Sequence, residues 1–239
     1  MDQLTTEAVK KNAGAVDIDA QSTFWSKERK RRHPSHEAIS AFVEPVLAEM
    51  RTITGMASGK SDLSILDVGC GNGYYSYYLV RDGHLVCLDF SSYMLSINPC
   101  EKRVCALSEN LPFAADAFDL VFCSNLLHHL ENPQVAVDEM ARVARRHVVV
   151  TEPNRASLPL LYSLKKEERG LRKFSLSYVE GLFLKSQLQI RSAKRMGSIL
   201  PNKLPKTLLP FFKWLNRPSF WGFYVVVIGE KQNLLGRGE

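Results

Sequence analysis

The chain has little cysteine, five residues in 239, and no two of them form a C-x-x-C pair. Five is an odd number, and Cys70, Cys87, Cys105 and Cys123 lie in or beside apolar runs. Buried reduced thiols account for them better than disulfides do, and no Cys/His spacing points to a metal. Long hydrophobic runs are missing as well. The longest, Phe223 to Ile228, is far too short to span a bilayer. The stretch from Met1 to Asp19 is polar and acidic, unlike a signal peptide, so a cytoplasmic protein is expected. No internal repeat or low-complexity tract is visible. What remains is an ordinary globular composition, 45% hydrophobic and 23% charged, on a chain long enough for one α/β domain with embellishments.

Charge is unevenly placed. Residues 1–154 carry 15 basic and 20 acidic residues, whereas 155–221 carry 14 basic and 3 acidic. The net charge of +6 therefore comes from one segment, which makes an interaction surface there more plausible than a general solubility effect. A second basic run, Lys27 to Arg32, follows Phe24-Trp25 and reads as a solvated face or a phosphate contact.

Periodicity supplies the elements. Ile39, Phe42, Val43, Val46, Leu47 and Met50 keep helical spacing after Pro34, with Pro45 expected to kink or split that helix. Strands are expected at Leu63–Val68, His84–Asp89, Arg103–Leu107, Asp119–Ser124, His147–Thr151, Gln189–Arg195 and Phe223–Glu230. Helices are expected at Tyr74–Leu79, Ser91–Ile97, from Asn132-Pro133 to Val143, and over Ser157–Leu188 with a break near Gly170. Strands alternating with helices argue a doubly wound parallel sheet.

The first strand runs into Asp67-Val68-Gly69-Cys70-Gly71-Asn72-Gly73. Glycines there let the backbone turn sharply and bring its N–H groups near a ligand, as at nucleotide sites. A dinucleotide fingerprint would place its third glycine at position 74, which is Tyr74. The acidic Asp67 would sit badly beside a pyrophosphate and well beside a cationic amino-acid group. Asp89, ending the second strand, suits a ribose diol in either cofactor class.

Asp67-x-Gly69-x-Gly71-x-Gly73, then Asp89-Phe90-Ser91-x-x-Met94-Leu95, Leu111-Pro112-Phe113 and Phe118-Asp119-x-Val121, resembles the class I S-adenosylmethionine-dependent methyltransferases. Asn125-x-x-His128-His129-Leu130 and the helix start at Pro133 are similar to the ubiquinone/menaquinone C-methyltransferase subgroup. The resemblance covers roughly residues 60 to 155. It implies a Rossmann-like, doubly wound, seven-stranded sheet whose last strand lies antiparallel beside the fifth. Residues 1–58 would be a helical extension or lid. Residues 59–239 would be the cofactor-binding domain, with a basic helical insert at about 155–221.

By that resemblance, Asp67 and the backbone of Gly69, Cys70, Gly71, Asn72 and Gly73 hold the methionine end of S-adenosylmethionine. Asp89 takes the ribose, Phe90 and Met94 pack near the adenine, and Asn125 and Leu126 line the floor. The acid that often reads the adenine amino group is replaced by Leu107, which leaves Ser108, Glu109 or backbone contacts alone to serve in its place. His128 is the candidate base, with His129, Glu152, Phe24 and Trp25 as candidate acceptor contacts. On a helix or turn, the neighbouring rings of His128 and His129 should point about 100° apart. The tyrosines at 74, 75, 77 and 78 read as packing plus one exposed pair.

An amino-methylating Asn/Asp-Pro-Pro-Tyr signature and a Pro-Cys nucleophile are both missing after the fourth strand, which disfavours nucleobase chemistry of those kinds. The segment from Leu204 to Leu215 mixes lysines with large apolar groups. It suits either an anionic membrane surface, as a peripheral contact, or a lid over a hydrophobic acceptor. A small, apolar or lipid-like acceptor is the leading expectation. An RNA or protein acceptor tracked by the basic segment, and a non-catalytic cofactor-binding module, are the alternatives.

Overall fold

The computed structural model describes residues 33–56, 62–155, 157, 174–197, 206–208, 210 and 222–232. Phe24, Trp25, the Lys27–Arg32 run, most of the basic segment and the helix expected before residue 174 lie outside the described residues. In chain order the elements are α1 (Glu37–Thr54), β1 (Ser64–Val68), α2 (Ser76–Leu79), β2 (His84–Asp89), α3 (Ser92–Ile97) and β3 (Arg103–Cys105). There follow β4 (Phe118–Ser124), a 3-10 turn (Leu127–His129), α4 (Pro133–Val143), β5 (Ala144–Pro153), α5 (Leu176–Lys185), β6 (Leu188–Met196), a short 3-10 turn (Lys206–Leu208) and β7 (Tyr224–Lys231).

All seven strands form one sheet in the order β3-β2-β1-β4-β5-β7-β6. The first five run parallel, and β7 enters antiparallel between β5 and β6. This is the seven-stranded, mostly parallel, Rossmann-like fold expected from the sequence. The central strands are covered on both faces, which is why β1, β4 and β7 are nearly continuous in apolar residues. One face packs on α1 and carries Ile65, Phe122, Val149 and Val226. The other carries Leu66, Val121, Cys123 and Val150 beneath α4 and α5. Among the described residues no helix is long and apolar enough to cross a membrane.

Two local expectations change. Pro45 neither splits nor ends α1, which runs unbroken over 18 residues. Its apolar stripe, Ile39, Val43, Val46, Leu47 and Met50, is fully buried against the sheet, and that packing outweighs one lost backbone hydrogen bond. Pro34 lies in the turn before α1 rather than in its first turn. His36 is the N-cap, its ring accepting from the Ala38 N–H, and Gly55 ends the helix in the left-handed region at φ 70°. Pro133 opens α4 as expected, though Asn132 makes no side-chain capping bond. The five cysteines are free thiols.

The strand order reverses between β1 and β4. In open α/β sheets the crevice beyond the strand ends at such a switch point is where ligands bind. Asp67 and the glycine turn stand on one side of it, and Ser124-Asn125 on the other.

Candidate functional site

The glycine turn is held by the protein itself. Gly69, Gly71 and Gly73 have φ values of 69°, 51° and 83°, all in the left-handed region. The N–H groups of Gly69 and Cys70 both donate to the Leu88 carbonyl, at 2.8 and 3.0 Å. The Gly71 N–H donates to Asp89 Oδ2 at 2.9 Å, and the Gly73 N–H to the Cys70 carbonyl at 3.0 Å. The spacing led to the expectation of N–H groups presented to a ligand. Four of the five are instead committed inside the fold.

The glycines differ in what a side chain would meet. A Cβ on Gly73 would lie 2.6 Å from Pro99 Cδ, whereas one on Gly71 would meet nothing within 4 Å. Gly73→Ala should therefore cost about 3 kcal/mol and Gly71→Ala only about 1 kcal/mol, read as shifts in urea midpoint.

Asp67 is 2% exposed. Ser76 Oγ donates to its Oδ2 at 2.6 Å, and Asn98 Nδ2 ties Ser76 Oγ at 3.4 Å to the Gly71 carbonyl at 3.0 Å. Burial pushes the Asp67 carboxyl up to about 7, the Ser76 hydrogen bond opposes that, and the charge of Asp89 adds to it. A carboxyl so placed gains most from a cationic ligand.

Asp89 closes β2 with both oxygens in use, Oδ2 accepting from Gly71 and Oδ1 from the Ser91 N–H at 2.9 Å. Ser91 caps α3 through Met94 N at 3.3 Å. Phe90 is half-buried and Met94 buried. Ser108 Oγ donates to Glu109 Oε2 at 2.7 Å, so these two residues beyond β3 act as one polar unit.

The residues after β4 are brought to the same place. Asn125 takes φ 54°, its amide donating to Ser124 Oγ at 2.8 Å and its N–H to the Thr151 carbonyl at 2.9 Å. Leu126 then lies against Gly69, so close that a Cβ there would sit 2.9 Å from its side chain. Glu152 is fully buried. Its Oε1 accepts from the N–H groups of Leu126 and Leu127 at 2.9 and 2.7 Å, and its Oε2 lies 2.6 Å from His128 Nδ1. Glu152, expected as an acceptor contact, spends its carboxylate on the turn and on His128.

His128 and His129 do not diverge. Their ring centroids are 3.9 Å apart with the planes at 45°, both residues lying in a short 3-10 turn. Burial, then the neighbouring His128, push His129 down to about 3, so it is a neutral ring at any working pH.

Sequence reasoning missed the partners of these groups. Ser76 and Asn98 carried no signal beyond being polar residues near a glycine turn. The sequence reads Tyr75 as packing, and its ring does lie 4.8 Å from Phe122. Its hydroxyl faces Ser124 and Thr151, yet neither it nor the Thr151 hydroxyl makes a hydrogen bond to any described group, and both are buried. Tyr74 and Tyr77 are half-buried rather than an exposed pair.

Residues 66–150 match the methyltransferase domain family. This part of the chain carries a methyltransferase domain. An uncharacterized protein of Methanocaldococcus jannaschii is 33% identical over 118 residues, 48% of this chain and 52% of its own length. The ubiquinone/menaquinone biosynthesis C-methyltransferase of Rhizobium meliloti is 28% identical over 153 residues, 57% of this chain and 59% of its own. The chain thus spans little more than half the length of these relatives. An S-adenosylmethionine-dependent methyltransferase of Thermotoga maritima superposes with a TM-score of 0.59 at 19% identity, covering 81% of this chain and 91% of that one, a likeness of fold. The cofactor of such a methyltransferase domain is S-adenosylmethionine, and among the described residues no group of side chains suits a metal ion.

Proposed function

We propose that the chain transfers a methyl group from S-adenosylmethionine to a small acceptor, apolar or lipid-like in character, with His128 as general base. The observation that carries this reading is the Glu152–His128 pair, set two residues from the leucine that packs on Gly69. The His128 Nδ1–H donates to the carboxylate, which leaves Nε2 with its lone pair for a proton of the acceptor.

The residues present fit the cofactor. Asp67 is a buried carboxylate whose hydrogen-bond partner is a neutral hydroxyl, as a site for an ammonium group requires. The space before Gly71 is open to a ligand. In this reading Asp67 takes the methionine ammonium, Asp89 the ribose diol, and Phe90 and Met94 the adenine ring. Ser108-Glu109 takes the adenine amino group, and Asn125 and Leu126 floor the methionyl chain. When bound, the cofactor supplies an electrophilic methyl on a sulfonium. The protein's share is alignment, worth about 7–11 kcal/mol when the approach is well held, and removal of the acceptor proton.

Isothermal titration with S-adenosylhomocysteine tests the cofactor part, and absence of binding would sink it. Label transfer from methyl-labelled cofactor into cell extract tests the acceptor. Label on a small extractable molecule is expected; label on RNA or protein would replace that acceptor class. His128→Ala should slow turnover by about 10²–10⁴ with cofactor affinity held, and unchanged turnover would remove His128 from the chemistry. Sedimentation with anionic vesicles at low salt tests the peripheral membrane contact suggested by the basic segment.

A further inference from the structure

A zwitterionic amino-acid end brings a carboxylate as well as an ammonium, and the glycine turn has few donors left to meet it. The N–H groups of Gly69, Cys70, Gly71 and Gly73 are all hydrogen-bonded within the protein. Asn98 Nδ2 and Ser76 Oγ are taken up in holding the turn and Asp67. Unspent donors do exist nearby. The Tyr75 hydroxyl and the Thr151 hydroxyl are buried and unpaired among the described residues. Tyr75 faces Thr151 and Ser124 and lies within the field of Asp67.

Their position follows from the fold. Tyr75 is the N-cap of α2, directly beyond the glycine turn, its ring set between Phe42 and Phe122 at 6.0 and 4.8 Å. Thr151 sits beside Ser124 in the β4–β5 register, and its carbonyl receives the Asn125 N–H. Asp67, Ser124 and Thr151 thus stand at the carboxyl ends of neighbouring strands, on the face from which Tyr75 points in. An unpaired buried hydroxyl is costly, so a pair of them held side by side calls for an acceptor to complete it.

We propose that Tyr75 and Thr151 are the anchor for the carboxylate of the cofactor's methionine end, their two hydroxyls donating to it while Asp67 takes the ammonium. This rests on the methyltransferase reading and adds to it a recognition site for the amino-acid end. Tyr75 keeps its proton throughout, because burial pushes the phenol far above its ordinary range. Both groups are therefore neutral donors at every working pH. Neither residue was singled out by the glycine motif, since neither belongs to it.

The test compares two ligands that differ in this end alone. S-adenosylhomocysteine carries the amino-acid carboxylate; methylthioadenosine shares the adenosine and sulfur and lacks it. Titration calorimetry on the full chain and on Tyr75→Phe and Thr151→Val should show S-adenosylhomocysteine weakened about tenfold in each variant. Methylthioadenosine should stay within about twofold, since only the carboxylate contact is removed. The melting temperature of each unliganded variant should hold or rise, because an unpaired hydroxyl is deleted. Equal weakening of both ligands would mean that the residues shape the site generally, and unchanged S-adenosylhomocysteine binding would mean that the hydroxyls serve an internal water. Either result overturns the anchor while leaving the methyltransferase reading intact. Failure of the unaltered protein to bind either ligand overturns both.

Discussion

Glu152→Ala should lower the stability of the protein by about 3–5 kcal/mol, the largest single loss expected at this site. The substitution strands three groups at once. The N–H groups of Leu126 and Leu127 lose their acceptor, and His128 Nδ1 loses its partner, all around a side chain with no exposed surface. A buried group without its partner carries the whole desolvation penalty, about 1–3 kcal/mol each. Glu152→Gln separates the structural part of this from the chemical part. Its amide oxygen still accepts from the two N–H groups, so about 1–2 kcal/mol is the expected loss, by urea denaturation. Its amide nitrogen, however, is a donor facing His128 Nδ1. The proton must then move to Nε2, and the lone pair meant for the acceptor disappears. A folded protein with turnover reduced about 10²–10⁴ is the expected result, with ¹⁵N spectra of the imidazole showing the change of tautomer. Full activity in Glu152→Gln would end the assignment of His128 as base.

The sequence made the sheet legible because its central strands are buried on both faces, and such strands read as apolar runs whatever surrounds them. The two ends of the crevice were legible as well. A buried acid after an apolar strand and glycines at fixed spacing are local signals, and Asp67, Asp89 and Gly71 are found together at the switch point. What the sequence could not show is pairing across the chain. Glu152 lies 24 residues from His128, and only the parallel register of β4 with β5 brings them together. The orientation of the two histidines was misjudged for a related reason. Periodicity gives the direction in which each residue leaves the backbone, and the side-chain torsions that bring the two rings within 3.9 Å are not in it. Pro45 shows the opposite case, in which the split that its local signal allowed does not occur because the helix face is fully buried.

The glycine turn itself changes meaning on the same grounds. Its spacing suggested a cradle of free N–H groups, but in the structure those groups brace the loop against β2 through Leu88 and Asp89. Glycine is needed there for backbone conformation, with φ positive at all three positions, more than for direct contact through N–H groups. In the function proposed above, recognition of the amino-acid end then falls to side chains, and chiefly to Asp67.

That assignment makes cofactor affinity depend on pH in a defined direction. Burial raises the Asp67 carboxyl from its ordinary 3.8 to about 7, so below neutrality the free protein holds it mostly protonated. An ammonium ligand requires the carboxylate, and binding must release that proton. Affinity for S-adenosylhomocysteine should accordingly rise about tenfold per pH unit from pH 5 and flatten above about 7, a gain near 100-fold across the window. The stability of the unliganded protein moves the other way. In the unfolded chain the group ionises near 3.8, so between that value and about 7 the folded state binds the extra proton, and its stability falls as pH rises. A bound cation relieves this cost, and the ligand-induced rise in melting temperature should grow over the same interval. Asp67→Asn removes the titrating group without emptying the space. It should bind S-adenosylhomocysteine weakly and with no slope between pH 5 and 7, measured by calorimetry in buffers of different ionisation enthalpy so that the released proton is counted. A slope retained in Asp67→Asn would place the titration on another group and take the ammonium away from Asp67.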